Sequence, residues 1–186
     1  MRRIGSLYLA TPDGGFPGSD ERLTRRTLIA EGRGFTLRTP ATPPASGEPD
    51  EIVARALYAD RVSLMRQVDG GIVNLTPFRG PEASSQTAFE MGFLAGLGKP
   101  LMAWMNLSDE LDAEYRERIE SWLGARQDET GAWRDGDDCL IEDFGLPEGH
   151  MLWCEARRMF LIVTDDPLDD QTGFEMCLDA MKLYAE

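Results

Sequence analysis

The sequence predicts an open α/β sheet, mostly parallel, with helices on both faces. Two observations carry this. Short apolar runs alternate with longer segments of helical periodicity along most of the chain. The third apolar run, residues 71–75 (GIVNL), is apolar at successive positions rather than at every second one, as in a strand buried on both faces. A chain of 186 residues suits one domain over 1–186, since domains usually take about 100–200 residues.

The elements follow in order. Residues 4–10 form a first strand that ends at Thr11-Pro12-Asp13-Gly14-Gly15, a turn signal. Residues 19–30 form a helix, with Ser19 or Asp20 as N-cap and Gly32 or Gly34 at its end. Residues 35–38 are a second strand, and the Pro-rich stretch 40–49 is a loop. Residues 50–67 form a helix whose apolar positions are Ile52, Val53, Ala56, Leu57, Leu64 and Met65. After the third strand, residues 84–97 form a helix closed by Gly98. Residues 101–104 are a fourth strand, 108–123 a charged amphipathic helix, 127–138 a polar loop, 159–163 a strand and 173–184 the last helix. Ligands of such sheets bind at the carboxyl ends of the strands. The loops after Ala10, Leu75 and Trp104 are therefore expected to line the site.

Composition narrows the partners. Nineteen Lys and Arg against 33 Asp and Glu leave a net charge of −14. Polymeric nucleic acid and anionic membranes both demand basic surface, so neither is expected as a partner. A small nucleotide needs only a few donors in one pocket. No apolar run reaches the ~20 residues of a membrane span. The opening MRRIGSLYLATP lacks the apolar length and cleavage site of a secretory leader. Cys139, Cys154 and Cys177 show no C-x-x-C spacing, and His150 is the single histidine. Reduced thiols in a cytoplasmic protein, with no metal and no cofactor, are the expectation. The acidic stretches 135–138 and 165–170 lack the calcium-loop ladder and read as solvated loops. Trp104, Trp122, Trp133 and Trp153 read as core or interface anchors.

The chemistry concentrates in residues 74–100, NLTPFRGPEASSQTAFEMGFLAGLGKP. Glu90 falls in the helix that follows the third strand, at the ligand edge. A carboxylate placed there, partly against apolar neighbours, suits a nucleophile or a general acid–base. Thr87-x-x-Glu90 equally fits a capping box, in which the Glu only satisfies the helix N-terminus. The pattern alone leaves both readings open.

Five segments in a fixed order resemble the nucleoside 2-deoxyribosyltransferase family. They are Tyr8-Leu9-Ala10, NLTPFRG from Asn74, TAFEMG from Thr87, Gly98-Lys99-Pro100, and EDFGLPEGHML from Glu142 to Leu152. The resemblance implies a flavodoxin-like doubly wound sheet of about five parallel strands in three α/β/α layers. It implies a homo-oligomer whose neighbouring subunits complete each pocket, here through residues 149–151 with Met151. It implies cleavage of the bond between a nucleobase and 2-deoxyribose by double displacement. The nucleophile is then Glu90, oriented by a hydrogen bond from Tyr8, with Asn74 among the substrate contacts.

Four positions depart from the family pattern. Where the family usually places an Asp that holds the sugar 5′-hydroxyl, this chain has Ser84. The Gly two residues on is Gln86. An Asp or Asn near the base is Arg61, and the Asn that reaches into the neighbour's pocket is Gly149. A related branch that hydrolyses deoxynucleoside 5′-monophosphates has Ser at the first of these positions. Removing a carboxylate there lifts repulsion towards phosphate, and an Arg fork suits phosphate. The alternative function is thus a monophosphate N-glycosidase, and a third is a nucleotide-binding relative without activity. The bland readings also stand: Ser84 or Ser85 as a helix cap, and Arg61 as a solvent-facing helix residue. Phe78 and Phe16 suit stacking on a base or packing under a loop. Arg79 suits attraction of a base or phosphate, or a loop-stabilising pair with Glu82.

Overall fold

A computed structural model describes residues 4–41, 50–109 and 112–185. Five parallel strands form the main sheet: β1 (Ser6–Ala10), β2 (Thr36–Arg38), β3 (Gly70–Asn74), β4 (Leu101–Leu107) and β7 (Arg158–Val163). Their spatial order is β2-β1-β3-β4-β7, the flavodoxin-like order, with its switch point between β1 and β3. Helix α1 (Ser19–Gly32) packs with α6 (Thr172–Ala185) on one face. Helices α2 (Glu51–Gln67), α3 (Ser85–Gly96) and α5 (His150–Glu155) cover the other. Helix α4 (Tyr115–Leu123) lies beside a small antiparallel pair, β5 (Ala125–Gln127) and β6 (Trp133–Asp135). Among the described residues no helix is long and apolar enough to cross a membrane.

Strand pleating sorts the core into two halves. Leu7, Leu9, Ile72, Met102 and Trp104 pack with Phe174 and Leu178 beneath α1 and α6. Tyr8, Ala10, Val73, Ala103 and Met105 pack with Met65, Met91 and Leu94 beneath α2 and α3. Tyr8 therefore emerges on the same face as Glu90. The start of α6 presses directly on the sheet: a Cβ at Gly173 would meet the Trp104 ring at 2.6 Å.

Several expected bounds shift. Helix α1 is capped by Gly18, at φ 73°, and Ser19 is its first residue. Helix α2 does begin behind Asp50, whose carboxylate accepts from the amides of Ile52 and Val53. Ile52 and Val53, expected on the buried stripe, are exposed, and Met65 is the buried residue of that helix. The expected helix over 108–123 is observed from Tyr115, with residues 110–111 outside the described ones. Residues 42–49 of the Pro-rich loop also lie outside them. The expected loop 127–138 contains β6 and the end of β5 instead. These three-residue strands carry no alternating apolar signal. Asp128 holds their turn, accepting from the Thr130 amide and hydroxyl and from Arg134 at 2.7 Å.

Candidate active site

Glu90 is the centre of the site. Helix α3 starts at Ser85, so Glu90 is its sixth residue and sits beyond the free amides of the first turn. The capping-box reading does not hold, because that motif needs the Glu three residues after the N-cap. The carboxylate is 2% exposed. It accepts from Arg61 Nη1 at 2.7 Å and from Gln86 Nε2, one helical turn back, at 3.3 Å. Burial pushes its pKa up; the hydrogen bond and charge of Arg61 oppose that rise. The Tyr8 hydroxyl is buried in the same place, and its pKa is raised first by burial and then by the nearby Glu90 charge. It makes no hydrogen bond of standard geometry, although it lies within electrostatic reach of both Glu90 and Arg61.

Arg61 is not a solvent-facing helix residue. Its side chain is 16% exposed, and besides Glu90 it makes a long 3.4 Å contact to the Ala41 carbonyl. It also lines a cavity of about 470 Å³ at the β1/β3 switch point, a volume proper to a small molecule. The turn after β1, the start of α1, the segment after β2 and the loop after β3 supply its wall. The segment after β4, expected to join them, contributes no described residue. Strand β4 runs three residues past Trp104, to Leu107, before that segment starts.

The predicted ligand residues divide. Arg61, Phe78, Arg79 and Ser84 line the cavity, as does Gln86. Glu90 and Tyr8 do not line it; Arg61 and Gln86, which hold the Glu90 carboxylate, do. Asn74 is buried and works as a tie. It donates to Thr11 Oγ1 at 3.2 Å and accepts from the Thr76 amide at 3.1 Å, joining two ligand-edge loops. Phe16 does not line the cavity; it packs edge-on against Phe78 with ring centroids 5.4 Å apart. Met151 lies away from the cavity on α5 and is 73% exposed.

Ser84 occupies the N-cap position of α3 but its side chain makes no cap hydrogen bond. Its hydroxyl thus remains available at the cavity wall. Arg79 sits at φ 58° with its guanidinium 4.9 Å from the Phe78 ring centroid. Among the described residues it forms no ion pair. The expected partner, Glu82, instead accepts from the Tyr115 hydroxyl at 2.6 Å.

Three buried groups escaped the sequence reading. Asp13 and Arg26 both line the cavity and are joined by a short hydrogen-bonded ion pair. Arg26 also donates to Gln171 at 2.7 Å and lies 5.3 Å from the Trp104 ring centroid. An Arg on the inward stripe of α1, following an Asp in the preceding turn, was the available signal. Arg118, fully buried on α4, donates to the carbonyls of Pro81 and Pro147. One guanidinium thereby fastens the RGP turn to the segment containing Leu146 and Glu148. Nothing in the local sequence around Arg118 announces this.

A doubly wound sheet with a cavity of small-molecule size at its switch point, and a buried carboxylate held beside that cavity, define a flavodoxin-like α/β protein with a candidate ligand site at the sheet's carboxyl edge. The family model described as nucleoside 2-deoxyribosyltransferase matches residues 7–151, more than three quarters of the chain. The chain belongs to the nucleoside 2-deoxyribosyltransferase family. The fold is shared with a 2-deoxyribosyltransferase from Leishmania mexicana, at 22% identity and a TM-score of 0.67 over 94% of this chain and 97% of that one. A conserved protein from Enterococcus faecalis V583 aligns at 11% identity and a TM-score of 0.50 over 96% of this chain and 99% of the other. An uncharacterised protein of Schizosaccharomyces pombe is 30% identical over 95 residues, 47% of this chain and 45% of that protein. The match thus spans less than half the length of that curated relative.

Proposed function

We propose that the protein cleaves the N-glycosidic bond of 2′-deoxynucleosides and transfers the sugar to a second base, with Glu90 as nucleophile. The observation that carries this is a buried carboxylate kept beside a small-molecule cavity with an arginine as counter-ion. A carboxylate oxygen of Glu90 attacks the anomeric carbon and forms a C–O bond as the C–N bond breaks. The bonding pair leaves with the base, which takes a proton. An incoming base then displaces Glu90. Two inversions give net retention, and each step crosses an oxocarbenium-like centre that the carboxylate stabilises. Tyr8 orients Glu90 from β1. The whole chain, 1–186, acts as one cytoplasmic domain in nucleoside salvage, with no cofactor.

The decisive assay is base exchange. Purified protein, a deoxynucleoside and a free acceptor base are incubated and separated by chromatography. A new deoxynucleoside is the expected product, and absence of both exchange and base release from every substrate would overturn the reading. A second reading, hydrolysis of deoxynucleoside 5′-monophosphates, is favoured by a Ser84 hydroxyl that makes no cap bond and lines the same cavity as Arg61 and Arg79. Base released only from monophosphates would select it.

The active form is a homo-oligomer. The support is exposed apolar side chains on neighbouring helices: Tyr58 at 56% on α2 and Phe89 at 51% on α3, with ring centroids 6.4 Å apart, and Met151 at 73% on α5. Isolated exposed apolar residues are ordinary, whereas a grouping on packed helices marks an interface. Helices α2 and α5 both pack on α3. Sedimentation velocity is expected to show a dimer or larger species that Met151→Glu weakens; a wild-type monomer at assay concentration would refute it.

A further inference from the structure

We infer that Arg61 is a latch on Glu90: in the free protein its guanidinium holds the carboxylate, and an anionic group on the substrate draws it away and so releases the nucleophile. This rests on Glu90 being the reacting group and on the second reading above, in which the substrate carries a 5′-phosphate.

Arg61 and Gln86 both touch the buried carboxylate and line the cavity, and of the two Arg61 carries the charge. It leaves α2 and bonds Glu90 at 2.7 Å; among the described residues it also reaches the Ala41 carbonyl at 3.4 Å and lies near the Tyr8 hydroxyl. A carboxylate whose charge is already taken by a guanidinium is a poorer nucleophile, because charge-assisted hydrogen bonds stabilise the ground state that must be left. The same guanidinium occupies the side of Glu90 that adjoins the cavity. As it stands the pair is therefore a resting state.

The cavity also holds what would pull the latch open. Arg79 lines it without an ion pair among the described residues, and the Ser84 hydroxyl lines it without a cap bond. A phosphate held by these two donors would sit in the cavity that Arg61 also lines. A planar guanidinium pairs with phosphate as readily as with carboxylate. Arg26, the remaining cavity arginine, is committed to Asp13 and Gln171 and does not compete. Once Arg61 leaves, Gln86 still donates to Glu90, so the carboxylate keeps a partner and its orientation. The chain as a whole carries −14 and repels anions at a distance. Selectivity for a phosphate-bearing substrate then has to come from this local cluster rather than from the protein's overall field.

The test separates the latch from the chemistry. 2-Deoxyribose 5-phosphate carries the anion but no glycosidic bond. Its affinity is measured by calorimetry for wild type, Glu90→Gln, Arg61→Ala and the double variant, with thermal melts to confirm folding. Glu90→Gln is expected to bind about tenfold more tightly, since Arg61 no longer has a competing partner, and Arg61→Ala about tenfold more weakly. The double variant should bind like Arg61→Ala. A Glu90→Gln gain that persists in full without Arg61 is general relief of charge and overturns the latch. So does wild-type affinity in Arg61→Ala, or no binding by any of the four proteins. Arg61→Lys, which keeps the charge but loses the fork, should bind at an intermediate level. Turnover is read separately: Arg61→Ala should lower kcat/KM for monophosphates relative to nucleosides. A wild type that binds the sugar phosphate as expected but cleaves no deoxynucleoside compound would refute the role of Glu90 and not the switched ion pair.

Discussion

Glu90→Ala is expected to lower turnover by at least about 10³-fold while leaving the fold intact; removal of a covalent nucleophile in other enzymes costs up to about 10⁶-fold. Among the described residues the carboxylate accepts hydrogen bonds from the side chains of Arg61 and Gln86 and from no backbone amide, so its loss unties no described backbone. Arg61 lines the cavity and can turn to water, which spares the cost of an isolated buried charge. Stability should change by no more than about 2 kcal/mol, the scale of a typical point mutation. Chromatography of base release, beside a urea melt, reads both quantities. Loss of fold with loss of activity would remove the case for a nucleophile.

The same residue sets a pH dependence. Its folded-state pKa lies above the ordinary 4.5, because burial disfavours the charged form more than Arg61 favours it. A nucleophile must be ionised, so the acid limb of kcat/KM should have its midpoint above 4.5. Stability runs the other way. A raised carboxyl pKa favours the protonated fold, so its contribution is complete below the ordinary pKa and is lost as pH rises through the raised one. Wild type should therefore lose stability relative to Glu90→Gln across that window, and an unchanged difference would mean that Glu90 is not desolvated in solution. Among the described residues, Arg61 and Tyr8 are the other ionisable groups that act on this carboxyl. The Tyr8 hydroxyl stays protonated, its pKa raised by burial.

Arg26→Ala should be the most destabilising change at the site, by about 3–5 kcal/mol, because it leaves a buried carboxylate without its main counter-charge. Asp13 would retain Asn74 at 3.4 Å and Arg22 at 3.9 Å, neither a substitute for the lost pair. The contacts with Trp104 and Phe174 would be lost as well, at 5.3 and 5.8 Å from the ring centroids. At about 2–4 °C per kcal/mol for a chain of this size, the melting temperature should fall by roughly 10 °C. A fall below about 2 °C would show that the pair contributes little net stability, as buried ion pairs sometimes do. Replacing Asp13 and Arg26 together by apolar residues should recover part of the loss, since neither charge is then stranded.

The alternation of strands and helices was legible because each element buries one face or two, and burial writes a period into the chain. Residues 71–75 showed it as apolar residues at successive positions, broken only by Asn74, and Asp50 announced α2 because its side chain is a strong N-cap. The parallel sheet and the placement of Glu90 at its ligand edge followed from that. Where the structure departs, the signal was never local. Ile52 and Val53 keep helical spacing yet face solvent, because periodicity shows that a stripe exists and not whether anything covers it. The β5–β6 pair is held by an Asp128–Arg134 bond and a turn, which leave no apolar pattern. At the site, sequence alone determined that a carboxylate at residue 90 stands near a small-molecule edge, and the family to which it belongs. Only the tertiary structure decided that Arg61 holds that carboxylate, that Ser84 caps nothing, that Asn74 ties loops rather than lining the cavity, and that Arg26 and Asp13 meet inside the protein. Such pairings join side chains from separate elements, up to 145 residues apart for Arg26 and Gln171. Their energy depends on distance and desolvation in space, and spacing along the chain encodes neither.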